Sequence, residues 1–302
     1  MTEELVSHPF RFGVVAAQAS SGDDWAAQAR RAEELGYSTW LTPDTLGPTL
    51  APLPALAAAA AATGSIRVGT FVLANDFRNP VLVARESATL DFLSKGRFEL
   101  GLGAGRPGSA DDARKLGIPF EGGGARVGRL AESLGIISAL LRGETATASG
   151  PHYAAREADV FPPPVQQPRP PILVAGSGRR LLSTAAREAD IVALGAGPDA
   201  TEQTLLEKIG WVRQAAGDRF ANLELNLNLL AVGEAHPTVT ARFGLDLDDL
   251  VRAGSPFVVV GTPDQMCEQL VRRRELLGVS YVTVSQWFVE PFAPVVERLA
   301  GR

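Results

Sequence analysis

The chain has 302 residues, 45% hydrophobic and 21% charged, which is an ordinary balance for a globular protein. Its net charge of −5 gives no electrostatic reason to expect a nucleic acid or an anionic membrane as partner. The one cysteine, Cys267, excludes an intrachain disulfide and fits a reducing compartment. The N-terminus lacks the basic and apolar regions of a signal peptide, and the most apolar stretch, residues 50–62, is too short to span a bilayer. We therefore expect a soluble, cytoplasmic protein.

Strand-like and helix-like segments alternate along the chain. The predicted strands lie near residues 10, 38, 66, 97, 171, 190, 223 and 279, and helical patterns follow each of them. Strands that alternate with helices indicate a parallel sheet, and eight such units in about 300 residues favour a barrel over two Rossmann halves. We predict an α/β fold, a (β/α)8 TIM barrel, as a single domain over residues 1–302, with insertions after strand 4 and strand 7.

Two parts of the chain interrupt the alternation. Residues 144–170 hold small polar residues followed by FPPPVQQPRPP, whose proline density favours an extended linker. A polar helical insertion is predicted over about residues 236–253, and FVVVGT (257–262) is then a short extra segment before the next helix. No helix or strand is predicted in the polar run after the fourth strand, ADDARKLGIPFEGGG.

A glycine motif follows the fourth predicted strand. In FELGLGAGRPG (98–108), Gly103, Gly105 and Gly108 have the G-x-G-x-x-G spacing of a dinucleotide-binding turn. A true fingerprint opens a helix in the first β/α unit, whereas this one follows three such units and continues into Pro107 and polar residues. In a barrel the same glycines lie at the C-terminal end of a strand, where they let a planar cofactor approach the backbone. A tight turn that binds nothing is the alternative.

Asp44 and His152 are candidates for the mouth of this barrel. Asp44 follows the second strand in LTPDT, so it is either a carboxylate at the barrel mouth or a turn-forming aspartate, and both interpretations stay open. His152 lies in the irregular stretch, where it can reach the mouth or remain a solvated loop residue. Three scaffold ion pairs are also expected: Arg78 with Asp91, Arg85 with Glu86, and Arg97 with Glu99.

The segment AGSGRR (175–180) is a candidate anion site. It opens a helix, and the free N–H groups and positive dipole of a helix N-terminus suit a phosphate. Arg179 and Arg180 oppose that dipole unless an anion compensates or their side chains point to solvent. Ordinary capping by Ser177 is the alternative. The three histidines are scattered, so we expect no metal site.

Three long stretches resemble one family, the bacterial luciferase-like flavin- or deazaflavin-dependent oxidoreductases. They are residues 67–105, 162–195 and 32–44, and within the family they look most like the actinobacterial branch assigned to coenzyme F420, a deazaflavin. The resemblance implies a (β/α)8 barrel, a homodimer, a cofactor ring across the strand C-termini, and a non-prolyl cis peptide at Phe71–Val72. It also implies a set of cofactor-binding residues: Asp44, Phe71, Val72, Ala74, Ala104, Gly105, Gly176, Ser177, Gly178 and Gly195.

Two positions depart from the family pattern. Many relatives have Asp-His after the second strand, where this chain has Asp44-Thr45, and Arg106 replaces a glutamate after the fourth. In the branch that oxidises sugar phosphates those two residues are the base and the acid, so sugar-phosphate oxidation is not expected. The resemblance then favours an F420-dependent reductase that acts on an activated C=C or C=N bond of a small organic substrate. The alternatives are an FMN-dependent monooxygenase and a non-catalytic flavin-binding barrel.

The predicted catalytic residues are Asp44, Arg106, His152 and Tyr153. Arg106 stays protonated, so we expect it to orient an anionic group of the substrate rather than to donate a proton. The proton would come from solvent, Tyr153 or His152, and Asp44 would bond the cofactor ring.

Overall fold

The computed structural model describes residues 8–197, 199–234 and 246–302. His236 and the first part of the predicted insertion over residues 236–253 lie outside the described residues. The remaining elements can be compared with the predicted ones in chain order.

Eight strands form a closed parallel barrel, as predicted. They are β1 (Arg11–Val15), β2 (Thr39–Thr42), β3 (Arg67–Thr70), β5 (Phe98–Gly103), β8 (Ile172–Gly176), β9 (Ile191–Leu194), β10 (Glu224–Asn228) and β13 (Val279–Ser285). Their hydrogen-bonded order is β3-β2-β1-β13-β10-β9-β8-β5, and β3 also pairs with β5. The short β4 (Leu73–Ala74) adds to the edge of β5. The fold is therefore a (β/α)8 barrel, and the Rossmann interpretation of the glycine motif is excluded.

Helices connect these strands. They are α1 (Gly22–Glu34), α2 (Pro52–Ala62), α3 (Pro80–Leu93), α4 (Ser109–Leu116), α5 (Gly123–Leu141), α6 (Arg179–Glu188), α7 (Glu202–Ala216), α8 (Leu247–Arg252), α9 (Pro263–Leu277) and α10 (Val289–Leu299). Local signals set several starts: Asn79 accepts a hydrogen bond from the N–H of Val81, and Thr262 and Gln265 form a capping box.

The chain divides into two compact units. Among the described residues, unit 1 holds 8–16, 30–40, 176–197, 199–234 and 246–302, and unit 2 holds 17–29 and 41–175. In unit 1, β13 pairs with both β1 and β10, and β10 pairs with β9, all in parallel. In unit 2, β5 pairs in parallel with β3 and β8. The single domain over residues 1–302 stays a prediction.

The glycines of β5 have a packing reason. A Cβ atom on Gly101 would lie 2.0 Å from the carbonyl oxygen of Thr70, and one on Gly103 would lie 2.8 Å from the Val72 side chain. The chain that leaves β3 therefore runs directly against β5, and only glycine leaves room for it. The alternate residues Leu100 and Leu102 are fully buried, as is typical of a strand in a parallel barrel.

Two segments contradict the prediction. Part of the stretch expected to be an extended linker, residues 144–170, forms an antiparallel hairpin of β6 (Ala146–Ser149) and β7 (Ala154–Ala158). Its strands are mostly alanine and small polar residues, and the GPHY turn lacks the Asn-Gly type of hairpin signal, so propensity did not reveal it. The proline-rich part that follows has no helix or strand, as expected.

The polar run after β5 contains α4, which the sequence analysis missed. Its signals were present: acidic residues in the first turn, basic residues in the last, and Gly117 beyond the end with φ of 70°. The insertion after β10 includes α8, and β12 (Val258–Val259) pairs with β11 (Ala231–Val232) in a small separate sheet. The extra segment predicted at FVVVGT is therefore confirmed.

Candidate functional site

Asp44 joins the segments that follow β2 and β4 in unit 2. Its Oδ2 accepts a hydrogen bond from the N–H of Ala74 at 3.0 Å and from the Arg78 guanidinium, and its side chain is only 7% exposed. The predicted pairing of Arg78 with Asp91 is wrong, because Asp91 accepts from the backbone N–H groups of Val165 and Gln166 instead. Asp44 is therefore an ion-paired carboxylate rather than a free base.

The other two expected scaffold pairs are Arg97 with Glu99 and Arg85 with Glu86. Arg97 donates to the carbonyl oxygens of Ile66 and Ala60, while Glu99 forms an ion pair with Arg67 at 2.6 Å. Arg85 and Glu86 are both exposed on α3, and within the described part of the chain they form no ion pair with each other. Neighbouring residues on a helix point in different directions, so this pairing was a poor expectation.

The peptide bond between Phe71 and Val72 is cis, as the family resemblance implied. The N–H of Phe71 donates to the carbonyl oxygen of Thr42 at 2.9 Å, which ties this turn to the end of β2. Phe71 and Val72, which were both predicted to bind the cofactor, thus lie in the short link between β3 and β4, near Ala74.

The end of β5 is held by an arginine of α5. Nη1 of Arg126 donates to the carbonyl oxygens of Ala104 and Gly105, each at 2.7 Å. Gly105 has a φ of 76°, a conformation that favours glycine. These two predicted cofactor-binding residues therefore form a fixed turn.

Arg106 and Thr45 occupy the two positions that depart from the family pattern. Arg106 is exposed, and its guanidinium forms no ion pair among residues 8–197, 199–234 and 246–302. The Thr45 hydroxyl donates to the buried carboxylate of Asp112 at 2.9 Å. Arg106 thus offers a cation that is available to a ligand, whereas the hydroxyl hydrogen of Thr45 is already donated to Asp112.

Tyr153 contacts the segment that follows β4. The buried Asn75 donates through Nδ2 to the Tyr153 Oη at 3.2 Å, which leaves the phenolic hydrogen free for another acceptor. Burial raises the pKa of the phenol, so Tyr153 stays protonated at neutral pH. His152 lies next to it, with Nε2 3.9 Å from Oε1 of Glu132. Of the four predicted catalytic residues, Tyr153 is the one that combines a partly buried hydroxyl with a hydrogen-bond donor on its oxygen.

The candidate anion site lies in unit 1, where β8 meets α6. Gly178 is the N-cap of α6 and provides no side-chain cap, and residues 177–180 are exposed. The buried Lys208 of α7 donates to the carbonyl oxygen of Ser177, and burial lowers the pKa of its ammonium group. A helix N-terminus with unused N–H groups, a hydroxyl and a nearby buried cation fit a phosphate.

Gly176 and Gly195 shape this loop from within. The N–H of Gly195 donates to the carbonyl oxygen of Gly176 at 2.7 Å, so it is not available to a ligand. A Cβ atom on Gly176 would lie 2.3 Å from the Leu181 side chain, whereas one on Gly178 would have no neighbour within 4 Å. Of these three glycines, only Gly178 faces open space.

Sequence reasoning missed several residues of these sites. They are Asn75, Asp76, Arg126, Arg129, Glu132 and Lys208. The first two follow a two-residue strand that was not predicted. The next three are spaced three residues apart on α5, and that regular spacing was the one available signal.

Two further features of the described residues bear on other functions. No group of three or more histidine, cysteine, aspartate or glutamate side chains there could hold a metal ion. In the same part of the chain, the helices lack the combined length and apolar character that a membrane crossing requires.

Comparison with known proteins identifies the family. The profile of the luciferase-like monooxygenase family matches residues 3–234. The F420-dependent glucose-6-phosphate dehydrogenase of Beutenbergia cavernae is 34% identical over 216 residues, which cover 68% of this chain and 63%, less than two thirds, of that protein.

Two solved structures show the same fold. The coenzyme F420-dependent tetrahydromethanopterin reductase of Methanopyrus kandleri is 20% identical with a TM-score of 0.77, and the match covers 97% of this chain and 99% of that one. A monooxygenase of Streptomyces bottropensis is 22% identical with a TM-score of 0.74, over 96% and 97% of the two chains. Since the family profile covers most of the sequence, the chain belongs to the luciferase-like monooxygenase family.

Proposed function

We propose that the protein is a coenzyme F420-dependent oxidoreductase that works as a reductase on an activated C=C or C=N bond of a small organic substrate. The F420-dependent relatives support the cofactor, and the donor set of the site supports the direction. The observation that carries the direction is the Tyr153 phenol, whose oxygen accepts from Asn75 and whose hydrogen has no acceptor among the described residues. A reduction consumes a proton, and this residue can donate one.

The site offers no matching base for the reverse reaction at the positions where the sugar-phosphate branch keeps its base and acid. Thr45 donates its hydrogen to Asp112, and Arg106 is a permanent cation. Asp44 is paired with Arg78. These three observations argue against sugar-phosphate oxidation and agree with substrate reduction.

Each residue then has a proposed role. The reduced deazaflavin supplies the hydride. Arg106 binds an anionic group of the substrate, and Tyr153 donates the proton, with His152 as the alternative donor. Asp44 holds the backbone of Ala74 and the Arg78 guanidinium at the predicted ring-binding segment, so its contribution to cofactor binding passes through those groups.

The loop of unit 1 is proposed separately as a phosphate site. Ser177, Gly178 and the first turn of α6 provide the hydrogen-bond donors, and Lys208 provides a buried positive charge behind them. A bound anion would favour the charged ammonium, opposing the burial that lowers its pKa. Gly176 and Gly195 keep the loop tightly packed.

The decisive experiment compares the two candidate cofactors. We expect F420 to bind at least about tenfold more tightly than FMN, a difference of about 1.4 kcal/mol. Fluorescence titration gives both dissociation constants, and anaerobic oxidation of reduced F420 with a panel of enones and imines tests the reaction. Tighter FMN binding with oxygen consumption would instead establish the monooxygenase, which the fold shared with the Streptomyces enzyme keeps as the second candidate. Cofactor binding without turnover of any acceptor would indicate the non-catalytic barrel.

We also propose that the protein forms a homodimer, as the family resemblance implies. The exposed apolar residues of α3, among them Leu82, Phe92 and Leu93, support an additional protein contact at that helix. The cytoplasmic location stays a prediction.

A further inference from the structure

One side of α5 holds three segments of unit 2 that carry site residues. Arg126, Arg129 and Glu132 are spaced three residues apart, so they follow one side of the helix. Arg126 binds the turn after β5, Arg129 pairs with Asp76 at 2.9 Å, and Glu132 binds the hairpin turn. A single helix therefore fixes the end of β5, the segment after β4 and the β6–β7 turn.

The contact of Glu132 with the hairpin turn is the most specific of the three. Its Oε2 accepts hydrogen bonds from the backbone N–H groups of His152 and Tyr153, each at 3.1 Å. The turn is also closed by the N–H of Gly150, which donates to the carbonyl oxygen of Tyr153 at 2.9 Å. One carboxylate thus satisfies the other two backbone donors of a four-residue turn that connects two short strands.

Gly150 shows how closely the turn lies on this carboxylate. A Cβ atom at this position would lie 2.3 Å from Oε2 of Glu132, and the neighbours closest to it all belong to the Glu132 carboxyl group. The φ of Gly150 is not positive, so the backbone itself would accept another residue. The need for glycine here arises from the contact with Glu132.

Tyr153 is consequently held at both ends. Glu132 fixes its backbone N–H, and Asn75 donates to its phenolic oxygen. The hairpin is otherwise short, with strands of four and five residues, and short isolated hairpins are marginally stable. Without the carboxylate, the turn loses the hydrogen bond that fixes the backbone of Tyr153, from which the side chain extends.

We propose that Glu132 is a positioning residue for Tyr153: it anchors the hairpin turn so that the phenol reaches Asn75 and presents its hydrogen to the substrate. The catalytic part of this inference rests on the proposed function. The anchoring part does not, because it concerns the apo protein.

The test uses two substitutions of the same residue. Glu132→Ala removes the acceptor, whereas Glu132→Gln keeps an oxygen in the same place. We expect Glu132→Ala to speed hydrogen exchange of the His152 and Tyr153 amides about tenfold and to lower kcat with reduced F420 about tenfold, the size of one lost hydrogen bond to a charged group. The KM of the acceptor and the Kd of F420 should stay within about twofold, and Glu132→Gln should restore most of kcat. Glu144→Ala, which removes an exposed carboxylate paired with Arg142, is the matched control.

A second pair of variants tests the contact from the other side. Gly150→Ala should displace the Glu132 carboxylate and reproduce the effect of Glu132→Ala. In the Glu132→Ala background it should add nothing, because the group it meets is gone. Additive effects of the two substitutions would contradict the proposed contact.

The outcomes separate this inference from the proposed function. Unchanged amide exchange in Glu132→Ala would overturn the anchoring role, whatever the protein catalyses. Faster exchange with unchanged kcat would overturn the positioning role if Tyr153→Phe lowers kcat. If Tyr153→Phe also leaves kcat unchanged, Tyr153 is not the proton donor, and both the positioning role and that part of the proposed function are wrong.

Discussion

Arg106 differs from most arginines near the strand ends of unit 2, because its guanidinium has no carboxylate or carbonyl partner among the residues that the structure describes. Arg78 pairs with Asp44, Arg126 binds two carbonyl oxygens and Arg129 pairs with Asp76. An exposed guanidinium without a partner retains its full capacity for bidentate binding of a carboxylate or phosphate. The position where the sugar-phosphate branch keeps an acid is therefore suited here to substrate binding.

This leads to a prediction at the residue scale. Arg106→Ala should raise KM for an anionic acceptor by about tenfold or more, the size of one charge-assisted hydrogen bond, while kcat changes little. Steady-state kinetics with reduced F420 would measure both constants, and a neutral acceptor of similar size serves as the control. A lower kcat with unchanged KM would assign Arg106 to the transition state instead.

Asp44 shows how far a single residue can be interpreted from sequence. LTPDT allowed a carboxylate at the barrel mouth or a turn-forming aspartate, and neither interpretation names the groups that the carboxylate binds. Its carboxylate accepts from Ala74 and Arg78, which are 30 and 34 residues away in the chain. No local pattern contains that information, because the partners meet only when the strands are aligned.

At the scale of elements, the segments of the strand–helix alternation were predictable, whereas some elements inserted between them were not. All eight barrel strands lie where the alternation of strand-like and helix-like segments placed them. The β6–β7 hairpin was missed because its stability depends on a contact with α5 rather than on its own residues. The α4 helix was missed although its charges and terminal glycine indicated it.

The loop between β8 and α6 gives a prediction at this scale. A substitution at Gly176 would disturb the fold itself, because a side chain there meets Leu181. Gly178→Glu is the better test: the new side chain has space, and its charge would repel an anion at the helix N-terminus. We expect the affinity for F420 to fall about tenfold or more, as for a lost charged contact, with little change in the Tm of the protein without cofactor.

Lys208→Met is the companion variant. Methionine keeps the length and apolar stem of the lysine but removes its charge, so we expect weaker F420 binding here as well. Gly178→Gln is the neutral control for the size of the side chain. If Gly178→Glu and Lys208→Met both bind F420 as the wild type does, the phosphate lies elsewhere, and the loop is only a tight turn.

For the whole molecule, strand order and fold class could be predicted from the sequence. Polar contacts between residues that are distant in the sequence could not. Glu99 pairs with Arg67, since the parallel strands β3 and β5 place residues about 30 positions apart side by side. The family resemblance added what periodicity could not, such as the cis bond at Phe71–Val72. The assignment of substrate still depends on the few residues that depart from the family.

The exposed faces of α2 and α3 are relevant to the proposed homodimer. On α3, Leu82, Phe92 and Leu93 are between 52% and 57% exposed, and the neighbouring α2 consists of alanine, leucine and proline only. Arg85 and Glu86 lie exposed between the leucines with opposite charges. In a twofold symmetric contact, Arg85 of one protomer can meet Glu86 of its partner, and the same contact occurs in reverse. The two residues can therefore form two reciprocal ion pairs. A second copy of the chain is therefore the partner that suits this face.

The last prediction concerns this dimer. Sedimentation velocity of the wild type should give twice the monomer mass of 31.9 kDa at micromolar concentration. Phe92→Asp places a charge in the middle of the apolar face and should convert the protein to a monomer, since burying an unpaired carboxylate costs several kcal/mol. Val251→Asp, at a 40% exposed position on α8, is the matched control and should leave the dimer intact. A monomeric wild type would contradict the homodimer, and a dimer that survives Phe92→Asp would place its interface on another surface.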